Sequence, residues 1–161
     1  MSIIAIDPGT TNTGLVYMDE RRIIAAKTLH FNKPVKDDQY QLMARAAQIA
    51  GMVADWAYDK PYEAIVIEGF MTYFGRQSSY TFQTPYLCGF LHSFFMGTGM
   101  TPIVIQTSRQ VLNARTRGNV AVYKDDIANG KNVWGDCSAL CNDHLRSAAA
   151  HGIYYYIHKE D

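Results

Sequence analysis

Two short apolar segments of this chain end in the same way, with an acidic residue just before a glycine turn. The first, "IIAIDPG", ends at Asp7, and the second, "AIVIEGF", ends at Glu68. Short apolar runs bounded by turn residues are typical of buried strands. Two explanations for Asp7 remain open on this pattern alone. Asp-Pro-Gly favours a bend by its own turn chemistry, and an acid at a strand end can also mark a site for an ion or a phosphate.

The order of the predicted elements limits the fold further. They are strands over 2–7, 13–19, 22–30, 63–68 and 101–106 and helices over 37–58, 77–97 and 137–158. Pro85 must lie in the first turn of the second helix or break that helix, because proline interrupts a helix elsewhere. Three strands in a meander, followed by alternating helix and strand, predict an α/β fold with a mixed sheet and helices on both faces.

Composition is that of an ordinary globular protein. The 161 residues are 48% hydrophobic and 19% charged, which fits one domain over 1–161. Fifteen basic residues balance fifteen acidic ones, so a nucleic acid would have to be bound by a local basic patch. The chain has no signal-like start and no apolar run near the ~20 residues of a spanning helix. These features, with an odd number of cysteines, predict a soluble cytoplasmic protein with no membrane partner.

Asp7 and Glu68 would lie close together if their strands are neighbours in the sheet. Two carboxylates within a few ångströms repel each other, and a divalent cation commonly relieves that repulsion. Oxygen ligands of this kind suit Mg²⁺ or Mn²⁺. The sequence therefore predicts a divalent metal site at this edge of the sheet.

Three motifs carry a resemblance to a known family. "AIDPGTTNTG" with Asp7, "IVIEGF" with Glu68 and "NDHLRSAAAHG" with His144 resemble, in order and spacing, the acidic motifs of the RuvC-type Holliday junction resolvases. The resemblance spans nearly the whole chain. It implies a ribonuclease H-like fold with a mixed five-stranded sheet, a homodimer, and metal-dependent symmetrical nicks in four-way DNA junctions. The aromatic middle of the chain is more similar to phage members, which also accept other branched DNA, and a phage protein would act in the host cytoplasm.

The third motif departs from the family at one position. The family has an Asp or His followed three residues later by an Asp, and this chain has His144 and then Ser147. Residues three apart share a helix face, so the geometry is kept while a charge is lost. The resemblance implies two-metal hydrolysis of a phosphodiester, with Asp7 bridging both ions and Glu68 holding one. His144 would hold or orient the other ion, with Asp143 or Ser147 contributing directly or through water.

The resemblance also implies DNA-binding and dimer residues. An aromatic loop after Glu68 would wedge into the junction, a basic patch would contact phosphates, and the helix over 77–97 would form the dimer. Core packing for the aromatic residues and a solvated surface for the basic ones remain alternatives. The residues are Phe70, Met71, Tyr73, Phe74, Arg76 and Gln77 in the loop, Arg109, Arg115, Arg117, Lys124 and Lys131 in the patch, and Leu87, Phe90, Leu91 and Phe94 in the dimer helix.

Other functions fit parts of the sequence. "DPGTTNTG" resembles the phosphate loop of the actin and sugar-kinase superfamily, but 161 residues are too few for its two domains. Cys137, Cys141 and His144 have the spacing of a zinc site, for which His151 is a candidate but not a convincing fourth ligand. A junction-binding protein that has lost nuclease activity through Ser147 is the third alternative. His151 and His158 follow His144 at seven-residue intervals, and both are predicted to be packing or surface residues.

Overall fold

The computed structural model describes residues 1–20, 22–36, 38–69, 82–99, 103–107 and 139–159. Its described elements alternate in the predicted order, with three strands first and helices between the later strands. They are β1 (Ser2–Asp7), β2 (Asn12–Asp19), β3 (Arg22–His30), α1 (Gln39–Ala57), β4 (Ala64–Gly69), α2 (Gln83–Gly97), β5 (Ile103–Thr107) and α3 (Asp143–His158).

The strands form one mixed five-stranded sheet in the order β3-β2-β1-β4-β5. β1, β2 and β3 pair antiparallel as a meander, whereas β1 with β4 and β4 with β5 pair parallel. This topology confirms the predicted sheet. Because β1 and β4 are adjacent and parallel, Asp7 and Glu68 lie at the same end of the sheet.

The apolar strands are buried because helices cover both faces of the sheet. Alternate residues of a strand point to opposite faces, so Ile3 and Ala5 pack under α3, whereas Ile4 and Ile6 pack under α1 and α2. All four side chains are fully buried. The prediction of helices on both faces is therefore confirmed.

Helix α3 begins later than the predicted residue 137. Residues 139–142 are not α-helical, and the side chain of Asn142 caps the helix by accepting a hydrogen bond from the Leu145 N–H at 3.0 Å. The Asn142 amide also donates to Thr28 Oγ1 of β3 at 2.7 Å. A cap of this type satisfies a backbone donor that the first turn leaves unpaired, so the helix starts at Asp143.

Two glycines let α3 lie close to the sheet. A Cβ on Gly14 of β2 would collide with the His144 carbonyl oxygen, and a Cβ on Gly152 of α3 would meet the Met18 sulfur. The absence of a side chain at these positions brings the first turn of α3 down onto β2, beside the end of β1.

Candidate active site

Asp7 and His144 are in direct contact. The Asp7 carboxylate stands at the end of β1, and the His144 ring projects from the first turn of α3. His144 Nδ1 lies 2.9 Å from Asp7 Oδ2, with the Asp7 side chain 16% and the His144 side chain 38% exposed. The hydrogen bond made by the Asp7 carboxylate thus goes to a residue 137 positions away, which favours the functional explanation over local turn chemistry.

The electrostatics of Asp7 indicate a place where positive charge is needed. Its pKa is raised chiefly by burial and further by the negative charge of Glu68, while the hydrogen bond from His144 opposes the shift. The pKa of His144 is raised in turn, mainly by its hydrogen bond to Asp7. Two carboxylates close enough to affect one another in a partly buried setting favour a bound cation.

Glu68 is held by two side chains of α3, one on each carboxylate oxygen. Ser147 Oγ donates to Glu68 Oε2 at 2.6 Å, and His151 Nε2 lies 3.5 Å from Glu68 Oε1. His144, Ser147 and His151 are spaced by three and four residues, which puts them on one helix face. The predicted catalytic set of Asp7, Glu68, His144 and Ser147 is therefore brought together at one end of the sheet.

His151 was missed as a site residue by sequence reasoning. It is 1% exposed, and its Nδ1 lies 3.2 Å from Oε1 of Gln106, which is itself buried. Gln106 stands on β5 opposite Glu68 in the parallel register. The seven-residue spacing from His144 was a signal for His151, whereas Gln106 carries no signal in the sequence because its role depends on strand pairing.

The loop after Asp7 is held by a small hydrogen-bond network. Thr13 Oγ1 donates to the Gly9 carbonyl at 2.8 Å, and Thr10 Oγ1 donates to Gln83 Oε1 at 3.1 Å. Arg45 Nη1 donates to the Thr10 carbonyl at 2.6 Å. A Cβ on Gly9 would collide with the Asn12 carbonyl, so this turn needs glycine.

The donors at the site fit a hard divalent cation in chemical type, since they are two carboxylates, an imidazole and a hydroxyl. As they stand, Asp7 and Glu68 are engaged by His144 and Ser147. Among the described residues, no three His, Cys, Asp or Glu side chains are grouped to hold one ion. The Asp143 carboxylate is 80% exposed and lies 3.5 Å from Arg146 Nη1, and its charge helps to raise the pKa of His144.

The predicted dimer residues divide into two pairs. Leu87 and Leu91 are fully buried in the core between α2 and the sheet, whereas Phe90 and Phe94 are partly buried at its margin. Leu87 and Leu91 are thus packed inside their own chain, and the dimer contact itself stays a prediction. Tyr86 of the same helix is 38% exposed.

The predicted DNA-binding residues lie outside the described residues, as does Cys137 of the alternative zinc site. Cys141 is described and is exposed. None of the described helices is long and apolar enough to cross a membrane. The predicted residues outside the described part of the chain are Phe70, Met71, Tyr73, Phe74, Arg76, Gln77, Arg109, Arg115, Arg117, Lys124 and Lys131.

Similarity to known proteins is visible at the level of structure. No family model and no curated protein matches the chain. Thermus thermophilus RuvC in complex with a Holliday junction substrate superimposes with a TM-score of 0.71 at 20% identity, covering 99% of this chain and 95% of that one. The fowlpox virus resolvase, in complex with substrate Holliday junction DNA, has a TM-score of 0.57 at 14% identity, covering 95% and 97%.

A third solved structure has the same architecture. The yeast mitochondrial Holliday junction resolvase has a TM-score of 0.57 at 11% identity, covering 94% of this chain and 75% of that chain. At these identities the fold is what is shared. The chain therefore has the ribonuclease H-like fold of these Holliday junction resolvases, the fold that its three motifs predicted.

Proposed function

We propose that this chain is a structure-selective DNA endonuclease that resolves four-way junctions and accepts other branched DNA. The observation that carries the proposal is the partly buried carboxylate pair of Asp7 and Glu68, contacted by His144 and Ser147 of α3. The fold supports it, because the chain shares that fold with resolvases solved in complex with junction DNA.

The residues at the site suit Mg²⁺ or Mn²⁺. Asp7 and Glu68 offer carboxylate oxygens, and His144 offers Nε2, since its Nδ1 faces Asp7. Bound there, such ions supply an activated water and stabilise the leaving oxygen in phosphodiester hydrolysis. Asp143 adds negative charge beside His144.

The side chains of this site hold one another in position. Asp7 orients the His144 ring through Nδ1, and Ser147 orients the Glu68 carboxylate through Oε2. Ligands kept in place by hydrogen bonds of this kind need little rearrangement on binding an ion. Ser147 brings no charge, so we propose that one of two ions is bound weakly, which gives slow cleavage or a preference for Mn²⁺.

Substrate binding and assembly complete the proposal. The aromatic residues within 70–74 would stack on bases at the junction, and the cations within 109–131 would bind phosphates. A homodimer would present two sites for symmetrical nicks. Its contact is proposed at α2, through the partly buried Phe90 and Phe94 beside the exposed Tyr86.

A junction-binding protein with impaired catalysis is the second candidate. Ser147 favours it, because this residue stands where the family has an aspartate and its hydroxyl is bonded to Glu68. This candidate predicts tight junction binding without metal-dependent nicks.

A nicking assay on a labelled four-way junction in Mg²⁺, Mn²⁺ and chelator tests the proposal. We expect paired nicks that require metal and are lost in Glu68→Gln. The control is Glu63→Gln. Glu63 lies just before β4, at the end of the sheet opposite the site, and its side chain is 65% exposed. Binding without nicks would favour the second candidate, and a gain of nicking in Ser147→Asp would then show that one carboxylate is what the site lacks.

A further inference from the structure

A basic groove lies beside the loop that follows Asp7. It has a volume of about 450 Å³ and runs between the segment after β3 and the first turns of α1. Among the described residues that line it, the charged side chains are all cations. The lining residues are Lys33, Pro34, Val35, Lys36, Gln41, Ala44, Arg45 and Gln48.

The groove is connected directly to the loop that carries Asp7. Arg45 donates from Nη1 to the Thr10 carbonyl at 2.6 Å and from Nη2 to the Lys33 carbonyl at 3.2 Å. Thr10 is three positions after Asp7 in the chain, a span of at most about 11 Å. The groove therefore lies at the same end of the sheet as the carboxylate pair.

The wall of the groove is held by side-chain hydrogen bonds on the side facing the site. The Gln83 side chain, buried in α2, accepts from Thr10 Oγ1 at 3.1 Å and donates to the Val35 carbonyl at 3.2 Å. Arg45 also stacks over the Phe31 ring, 4.1 Å from its centroid. These contacts connect the backbone from which Lys33 and Lys36 project to the loop that follows Asp7.

We propose that this groove binds the phosphodiester backbone of a DNA arm next to the scissile phosphate. Exposed lysines on a fixed backbone suit phosphate contacts that position the substrate without reading its sequence. The balanced net charge of the chain makes a local patch necessary for such binding. This inference rests on the proposed function.

Junction binding as a function of salt tests the groove. We expect Lys33→Gln with Lys36→Gln to bind a four-way junction at least tenfold more weakly, with the slope of log K against log salt reduced by about 2. The control is Arg22→Gln with Lys159→Gln, which removes two exposed cations from the opposite end of the sheet. There, Arg22 of β3 stands opposite Asp19 of β2 in the strand register, and Lys159 contacts Met1. The control should bind like the wild type.

The outcomes of this experiment distinguish a failure of the groove proposal from a failure of the proposed function. A wild type that binds the junction, together with a lysine variant of unchanged affinity and salt slope, would overturn the groove alone. A wild type without junction binding would overturn the proposed function, and this inference with it.

A second, independent observation concerns the buried pair of His151 and Gln106. Burying polar side chains costs free energy unless they are hydrogen-bonded. His151 and Gln106 lie within hydrogen-bond distance of each other, which reduces that cost. His151 has Gln106 on its Nδ1 side and Glu68 on its Nε2 side. The Gln106 amide can offer oxygen or nitrogen to the ring by rotation, so a neutral imidazole can donate to Glu68.

We infer that His151, held by Gln106, is a positioning residue that fixes the Glu68 carboxylate for a metal ion. Ser147 holds the other oxygen of the same carboxylate, so α3 contacts both oxygens of Glu68. Outer partners of a metal ligand typically change metal affinity or activity by about 10- to 100-fold.

Calorimetric titration of the protein with Mn²⁺ alone, without DNA, tests this role. We expect His151→Phe and Gln106→Met each to raise the Mn²⁺ Kd about tenfold or more, and His151→Gln, which keeps a donor, to recover most of the affinity. His92→Phe on α2 is the matched control. Thermal unfolding identifies folded variants, and Gln106→Met carries the test if His151→Phe does not fold.

Two results would contradict a role in the metal site. Folded variants that bind Mn²⁺ like the wild type would overturn the positioning role alone. A wild type that binds no Mn²⁺ would overturn the proposed function as well.

Discussion

Ser147 donates a hydrogen bond of 2.6 Å to the Glu68 carboxylate, across 79 residues of sequence. A short bond from a neutral donor to a charged acceptor is among the stronger hydrogen bonds in proteins. The position where the resembled family carries an aspartate is thus occupied here by a group that supports its neighbour. A third carboxylate at this place would instead repel Asp7 and Glu68.

The repulsion predicts opposite effects of Ser147→Asp with and without metal. In chelator, we expect its thermal unfolding temperature to fall below that of the wild type, because a hydrogen bond is replaced by like charge. Added Mg²⁺ should stabilise Ser147→Asp more than the wild type. Ser147→Ala is the control, since it loses the bond, at about 1.5–3 kcal/mol, without the new charge. Equal Mg²⁺ stabilisation of all three proteins would contradict this expectation.

Contact with Asp7 predicts a raised pKa for His144 in the metal-free protein. The hydrogen bond to Asp7 is the largest cause of the shift from the ordinary 6.5, and NMR titration of the ring proton should lose the shift in Asp7→Asn. A raised folded pKa stabilises the protein fully below about 6.5, and that stability is lost as pH rises through the folded value.

Unfolding by urea in chelator from pH 5 to 9 measures this loss. In His144→Gln, the free energy of unfolding should no longer show the decrease that the wild type shows as pH rises above 6.5. Asp7 also has a raised pKa, so its ionisation lowers the stability as pH rises from its ordinary 3.8 through its raised folded value. Identical pH profiles for the wild type and His144→Gln would refute the pairing.

Close packing of α3 predicts that Gly14→Ala is damaging. Its Cβ would collide with the His144 carbonyl oxygen, and overpacking of this kind costs typically about 1–3 kcal/mol. The first turn of α3 would move away from Asp7, so nicking should fall as well. Gly51→Ala is the control, because a Cβ there meets nothing within 4 Å in α1 and alanine favours the helix by about 1 kcal/mol. Urea unfolding measures both variants.

Capping by Asn142 predicts a link between helix stability and the site. Asn142→Ala removes the side-chain acceptor for the Leu145 N–H and the bond to Thr28, and we expect a loss of about 1–2 kcal/mol. Asn142→Asp keeps the acceptor and should retain more of the stability. If both variants unfold at the same urea concentration as the wild type, the cap has no energetic role.

Sequence alone determined the sheet and the location of its acids. The runs before Asp7 and Glu68 are apolar without interruption, so these strands have no polar face to expose to solvent. Both faces of such a strand must therefore be covered by helices. The motif order also predicted that His144 and Ser147 would join the two acids. These are local patterns, in which a few neighbouring residues suffice to indicate the outcome.

Tertiary structure decided which side chains touch. Gln106 reaches the site because β5 pairs with β4, and Leu87 and Leu91 face the core because α2 packs inward on the sheet. His151 and His144 occupy the same helix face, yet one is buried on Glu68 and the other is partly exposed beside Asp7. Such differences depend on contacts between residues far apart in the chain, and those contacts exist only once the sheet has formed and the helix lies across it.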